Sequence, residues 1–389
     1  MNSPLMVLLL RLGPADDSAP YASSIRAIFG GGATNKELLE VTELREFQLA
    51  DAAAAAITAQ SLDFLASADR LLVLVLDARS ATGLPANNAL TPFEDALFQK
   101  INSIPAAPSR QRVLHIYLKE PGGLYDSAPT DTRLVRLGLK ELDERDLRIA
   151  FLTLYTLRYS IQLFNPDKAR LFFSHAKRDG VPLTTATGDW IDKRLRGFDT
   201  FYDTNDLDLT GDIEAQLNKA VESAIVIVFR SDVFDQRYWC QKEVLWAEQH
   251  RRPVITVDAR WQIEHSPSVI SFDSTPVVRI PDGSVVRIFT AALVEALRVE
   301  LFTARVGAHG TAINAARVRA VPRLPSLVSL YGACQALCDE AARNGSGRSF
   351  IVYPNPSLPQ LMLQSAQGLA EKAIAGCEVK SLDEFRLVV

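Results

Sequence analysis

The chain has 389 residues, 48% of them apolar and 23% charged, with 42 Lys and Arg against 46 Asp and Glu. That length accommodates two or three domains with full cores, and the composition excludes a disordered or fibrous chain. A net charge of −4 provides no long-range attraction to phosphate backbones, so nucleic acid is not favoured as the main partner.

Residues 5–10 are an apolar run too short for a secretory core and are followed by Pro14-Ala15-Asp16-Asp17, so they read as a strand. No stretch approaches the roughly 20 apolar residues that span a bilayer, and the expected location is the cytoplasm. Cys240, Cys334, Cys338 and Cys377 form no CxxC pair, which points to neither a zinc site nor a disulfide framework. Cys334 and Cys338, one helical turn apart, read as a small apolar stripe.

In chain order, strand 6–10 is followed by helical 50–66, strand 71–76, helix 93–101 and strand 113–118. Leu71-Leu72-Val73-Leu74-Val75-Leu76 is continuously apolar, as befits a strand covered on both faces. The alternation predicts an α/β fold, a parallel-sheet Rossmann-like (flavodoxin-like) domain over residues 1–165. Pro and Gly mark loops at 83–92, 105–108 and 121–132, and a long helical stretch over 137–164 leads into the next unit.

The rhythm then repeats: strand 170–174, helix 189–196, strand 198–203, helix 212–221, strand 224–229, helix 238–251 and strand 253–257, closed by helix 289–302. Before helix 189–196, residues 180–188 read as a Thr-rich loop. A tract rich in Ala, Arg and Pro over 305–325 precedes a third unit with helix 327–342, strand 350–353 and helix 358–375. The expected domains are therefore 1–165, 168–306 and 325–389.

Helix 238–251 carries the most information. At about 100° per residue, Trp239, Cys240, Val244, Trp246 and Ala247 form one apolar arc, and Glu243 falls inside it. Gln241, Lys242, Glu248 and Gln249 take the other side. A carboxylate among tryptophans is costly unless paired or used, so Glu243 either caps a hydrogen bond or meets the hydroxyls or developing positive charge of a ligand.

The central segment resembles the TIR (Toll/interleukin-1 receptor) domains, through four boxes in order over about 75 residues. Leu171-Phe172-Phe173-Ser174-His175 with Asp179 is similar to the family's first-strand box. Phe201-Tyr202-Asp203 with residues 206–211 is similar to the second strand and the loop after it, and Ile225 through Phe229 with Ser231 to the third strand. Tyr238-Trp239-Cys240-Gln241-Lys242-Glu243 matches the Trp-Cys-x-x-Glu signature. The resemblance covers the central third of the chain alone, and the family includes both enzymes and adaptors.

The resemblance implies that Glu243 is the catalytic residue of an NAD glycohydrolase or cyclase of bacterial anti-phage defence type. Such an enzyme releases nicotinamide and gives ADP-ribose or a cyclic ADP-ribose signal, with NAD as substrate and no cofactor or metal. Ser174, His175, Lys177, Arg178, Asp179, Tyr202, Asp203, Gly211, Trp239 and Cys240 are the candidate substrate-binding residues. Strand 170–174 ends where open α/β sheets place ligands, so Lys177 and Arg178 are candidates for a pyrophosphate, or form a solvated basic turn.

His175 reads as a packing or loop residue more readily than as a proton carrier. Asp206 and Asp208 read as a solvated acidic loop, Gly211 as the turn before the next helix, and Trp190 as core. The resemblance further implies self-association through TIR surfaces and an effector or sensor protein as partner. The alternatives are a non-enzymatic interaction module, or an enzyme acting on a different ribosyl substrate. In the N-terminal part, Asp77-Ala78-Arg79 and Glu94 form a layout loosely like a degenerate TIR half that lacks Trp-Cys-x-x-Glu, where no catalysis is expected.

Overall fold

The protein is described from a computed structural model. It describes residues 5–29, 42–49, 54–68, 70–78, 89–105, 110–119, 123–124, 134–138, 169–194, 198–201, 211–260, 275–279, 285–313, 317–344 and 347–388. The chain divides into two compact units, Met1–Gln162 and Leu163–Val389.

The first unit runs β1 (Leu5–Leu12), α1 (Ala15–Phe29), β2 (Thr42–Leu49), α2 (Ala54–Thr58), β3 (Arg70–Asp77), α3 (Pro92–Asn102), β4 (Arg110–Tyr117), β5 (Gly123–Leu124) and β6 (Leu134–Gly138). The sheet order is β2-β1-β3-β4-β6-β5. Every pairing is parallel except the two-residue edge strand β5 against β6. Side chains on both faces of β1 and β3 are buried, as the unbroken apolar runs predict.

The second unit begins with β7 (Ala169–His175), α4 (Val181–Arg194), β8 (Phe198–Phe201), α5 (Ile213–Glu222), β9 (Ile225–Arg230), α6 (Tyr238–Gln249), β10 (Val254–Asp258) and β11 (Val277–Arg279). Its sheet, in order β8-β7-β9-β10-β11, is parallel throughout. Counted within its own unit, each sheet reads 2-1-3-4-5 across its parallel strands, the doubly wound flavodoxin-like order. The α/β, parallel-sheet fold expected from the alternation is therefore the fold observed.

β9 is Ile-Val-Ile-Val-Phe-Arg, a β-branched run whose first five side chains are buried. Each such chain contributes about 1.5–3 kcal/mol by leaving water. On one face of the sheet, Phe172, Val226 and Val228 pack with Leu217 and Val221 of α5 and with Cys240, Val244 and Ala247 of α6.

The remaining elements are α7 (Val285–Ala312), β12 (Arg317–Ala320), α8 (Leu327–Asn344), β13 (Ser349–Tyr353), α9 (Gln360–Ala373), β14 (Cys377–Ser381) and α10 (Leu382–Arg386). β12, β13 and β14 form a parallel three-stranded sheet. α7 packs against both β10 and β12, so one helix serves the central and the small sheet. Buried Glu295 on α7 accepts from Arg298 at 2.7 Å and from Arg323 at 2.6 Å, and Arg323 also donates to the Val254 carbonyl at 2.5 Å. Burial pushes the Glu295 carboxyl up, but Arg298 and Arg323 outweigh it and leave it below the usual carboxylate range.

Several expected boundaries are corrected. Residues 181–188 are not a loop but the first half of α4. Thr184 and Thr187 donate their hydroxyls to the Gly180 and Leu183 carbonyls at 2.9 and 2.8 Å, so they are satisfied inside the helix. The helix expected to stop at 302 continues to Ala312, and the tract after it contains β12. Helix 238–251 ends at Gln249. Leu137 belongs to β6 rather than to a helix, and residues 139–164 of that expected helix lie outside the described residues. β2, β11 and β14 were not anticipated: the first is charged and the second is three residues long.

Among the described residues no helix is long and apolar enough to cross a membrane.

Candidate functional site

The crossover from β7 to β9 is the point at which the strand order of the second unit reverses, where open parallel sheets leave a crevice at their carboxyl edge. β7 ends there with Ser174 and His175, and β9 with Arg230 followed by Ser231. α6 leads back over this edge, and two residues in its first two turns grip the end of β7. The Cys240 thiol donates to the His175 carbonyl at 3.4 Å, and the carboxylate of Glu243 accepts from the Ser174 hydroxyl at 2.5 Å. The i, i+3 spacing of Cys240 and Glu243 puts both on one helix face, which meets two consecutive residues of the strand.

Glu243 is 5% exposed and Ser174 fully buried, so the bond forms in a setting of reduced dielectric, where a hydroxyl on a carboxylate is strong. A carboxylate held this way is pre-oriented at the sheet edge, able to accept hydrogen bonds from ligand hydroxyls or to oppose positive charge.

The turn after β7 is tight. The amide of Gly180 donates to the Ala176 carbonyl at 2.8 Å, and a Cβ at residue 180 would lie 3.0 Å from that oxygen. Asp179 accepts from the Ser231 hydroxyl at 2.6 Å, tying the end of β7 to the end of β9. α4 starts directly after this turn, which removes the separation between Asp179 and the next helix that the Thr-rich stretch suggested. Lys177 and Arg178 are exposed on the turn. His175 is buried, and its Nδ1 lies 3.2 Å from the Phe173 carbonyl, which fits the packing role. Trp190 lies against Phe289 of α7, with ring centroids 6.5 Å apart.

The expected apolar arc of α6 is corrected at one residue. Cys240, Val244, Trp246 and Ala247 are buried with Glu243. Trp239, however, is 42% exposed beside Tyr238 at 65%. Lys242 lies 5.2 to 5.6 Å from the rings of Tyr238, Trp239 and Trp246 and pairs with Glu214. Its pKa is raised by the hydrogen bonds to Glu214 and Tyr238.

Gly211 is exposed and precedes Asp212, whose carboxylate caps α5 by accepting from the Ala215 amide at 3.1 Å. Tyr202, Asp203, Asp206 and Asp208 lie outside the described residues.

The first unit holds a second buried polar group at the corresponding sheet edge. Glu94 lies on the helix after β3, the strand third in order, as Glu243 lies on the helix after β9. Glu94 accepts from the Thr91 amide at 2.7 Å and from Arg136 at 2.5 and 3.0 Å. His115 stands between Glu94, 2.9 Å from Nδ1, and Asp77, 3.2 Å from Nε2. Donation from both ring nitrogens requires the imidazolium.

Burial lowers the His115 pKa, but the hydrogen bonds to Asp77 and Glu94 outweigh it and raise it above the ordinary histidine value. Burial likewise raises the Glu94 carboxyl, and His115 and Arg136 overcome that to hold it at about 2. His115 and Arg136 were not picked out from the sequence. Each sits in an otherwise ordinary strand, and their partners lie 21 to 42 residues away.

Among the described residues no group of three or more His, Cys, Asp and Glu is placed to hold a metal ion. No family model matches the chain, and no curated protein matches it.

Proposed function

We propose that the chain cleaves the nicotinamide–ribose bond of NAD at the Ser174–Glu243 edge, as the resemblance of its central segment to TIR domains implies. The observation that supports this reading is the buried Glu243 carboxylate, held by the Ser174 hydroxyl at 2.5 Å at the strand-order reversal of the sheet. The nicotinamide of NAD is already a cationic leaving group. When the glycosidic bond breaks, its electron pair goes to the ring nitrogen, neutral nicotinamide departs, and the ribose takes on oxocarbenium character. A fixed carboxylate that holds the ribose hydroxyls and faces that charge lowers the barrier electrostatically. Water attack then gives ADP-ribose and a proton, and attack by the adenine gives a cyclic product.

Lys177 and Arg178, exposed one turn beyond Ser174, are suited to the pyrophosphate. The setting proposed for this activity is bacterial defence in the cytoplasm, with self-association and an effector or sensor protein coupled to it.

A second reading, a non-enzymatic interaction module, is favoured by one feature, the exposed Tyr238–Trp239 pair with Lys242 on the first turn of α6. Aromatic rings with a cation beside them suit a protein interface. Nicotinamide release from NAD by the purified protein, with and without a crowding agent, separates the two. The enzyme reading expects release that Glu243→Ala and Glu243→Gln both reduce by about a hundredfold or more, as for loss of a transition-state electrostatic group. No release under any assembled condition puts the interaction module first, and equal release by the variants removes Glu243 as the catalytic residue.

A further inference from the structure

At the far end of α6 stands an arginine that its protein surroundings leave unpaired. The Arg252 amide donates to the Ala247 carbonyl at 2.8 Å and the Arg251 amide to Glu248 at 3.0 Å, a closed helix terminus. Arg251 thereby occupies the left-handed region with φ 56°. Glycine is the usual occupant, because a side chain is strained there. The chain itself uses glycine at Gly376, φ 73°. The strain at this position directs attention to the arginine side chain.

Among the described residues no carboxylate is hydrogen-bonded to its side chain. Nη1 of Arg251 is buried without a protein hydrogen-bond partner. Burial, then the neighbouring cations Arg319 and Arg252, push its pKa down from the ordinary arginine value. A desolvated guanidinium beside like charges calls for an anion to complete it. Arg252 and Arg323 differ from it: Arg252 feels Glu300 and Glu222, and Arg323 is bonded to Glu295.

Arg251 lines a small, solvent-open depression together with Arg252, Arg323, Glu248, Ser326 and Ser329. α8 starts at this depression. The Ser329 amide donates to the Ser326 hydroxyl at 3.1 Å and the Ser326 amide to the Ser329 hydroxyl at 2.9 Å, capping the positive end of an 18-residue helix. The close approach of α8 to α6 depends on Gly332, where a Cβ would stand 2.4 Å from the Gln249 carbonyl oxygen. Glu248 is the carboxylate of the depression, accepts from the Ser326 hydroxyl at 2.7 Å, and is pushed by burial toward its neutral form.

We propose that this depression binds a phosphate-bearing anion, held by the Arg251 guanidinium opposite the N-terminus of α8. The Arg251 guanidinium, with its own charge not matched by a carboxylate and a helix end opposite, suits a tetrahedral anion, which a guanidinium fork matches with paired hydrogen bonds. The site is separate from the Ser174–Glu243 edge, since Glu243 and Glu248 sit in different turns of α6, and it rests on no reading of that edge.

The test is calorimetric titration of the full-length protein with inorganic pyrophosphate and, separately, with ADP, at fixed ionic strength. Saturable one-to-one binding is expected, weakened at least tenfold in Arg251→Gly and Arg251→Asn. Both variants accept the left-handed backbone, so both are expected to melt at or above the wild-type temperature without ligand. The double variant Lys177→Ala/Arg178→Ala, which removes the pyrophosphate contacts proposed at the Ser174–Glu243 edge, is expected to retain the Arg251-dependent binding.

Equal binding of the two probes assigns recognition to the phosphate alone, and binding of ADP only assigns it to the phosphate of a nucleotide. The proposal is overturned by absence of saturable binding, by unchanged binding in the Arg251 variants, or by loss of binding in the double variant. A lower melting temperature of both Arg251 variants without ligand would assign Arg251 to holding the fold and would likewise overturn it.

Discussion

Glu243 and Glu94 are both carboxylates on the inner face of a helix at a sheet edge, yet their surroundings give them different chemistry. Glu94 is enclosed by Arg136, His115 and the Thr91 amide and is fully buried, so a ligand finds no lone pair on offer. Glu243 accepts from the neutral Ser174 hydroxyl at the end of a strand, in the crevice of the switch point. Ser174→Ala removes that donor from a buried carboxylate, and the expected loss of stability is about 1–3 kcal/mol, read by thermal unfolding. Under the NAD reading, the same change slows nicotinamide release about tenfold, since a misoriented carboxylate loses part of its electrostatic effect. Unchanged stability and rate would remove Ser174 from the site. The placement of Glu243 among buried apolar residues was legible in the sequence, because a charge inside an apolar arc is anomalous on its face. Its bond to Ser174, 69 residues away, was not, because periodicity along a helix says nothing of what the face meets.

At the scale of elements, β3, α3, β4 and β6 are joined by the quartet of Asp77, Glu94, His115 and Arg136. With the imidazolium present, two positive and two negative groups balance in a buried setting. The folded pKa of His115 is raised above 6.5, so its contribution is complete below pH 6.5 and is lost as pH rises through the folded value. The folded pKa of Glu94 is lowered from 4.5 to about 2, so its contribution is complete above pH 4.5 and is lost as pH falls toward 2. The acid side is worth about 3 kcal/mol by linkage, shared among the coupled groups. Melting temperature against pH is therefore expected to be highest between pH 4.5 and 6.5 for the transition of the first unit, falling on both sides, and His115→Gln is expected to flatten the alkaline limb. A limb that persists in the variant would assign it to other groups. The elements themselves were largely visible: β3 and β9 as unbroken apolar runs, α6 by its arc. Trp239 was misplaced because the helical wheel gives the direction of a side chain but not what covers it.

For the whole molecule, the same 2-1-3-4-5 strand order occurs in both units, and α7 couples the central sheet to the small one within residues 163–389. A fragment comprising residues 163–389 is expected to unfold in one cooperative transition in calorimetry, because its core and the Glu295 clamp lie within it. A broad, non-cooperative transition would mean that residues 1–162 are needed to complete it. The sequence by itself determined the α/β class, the parallel sheets and the helix that carries Glu243, since these follow from local periodicity and from unbroken apolar strands. The tertiary structure alone decided which sheet edge Glu243 faces, that α4 begins at residue 181, that α7 runs on to Ala312, and that His115 and Arg136 enclose Glu94. The physical reason is common to all four: each depends on groups distant along the chain becoming neighbours, or on hydroxyls and charges finding partners that make a locally unfavourable conformation the stable one.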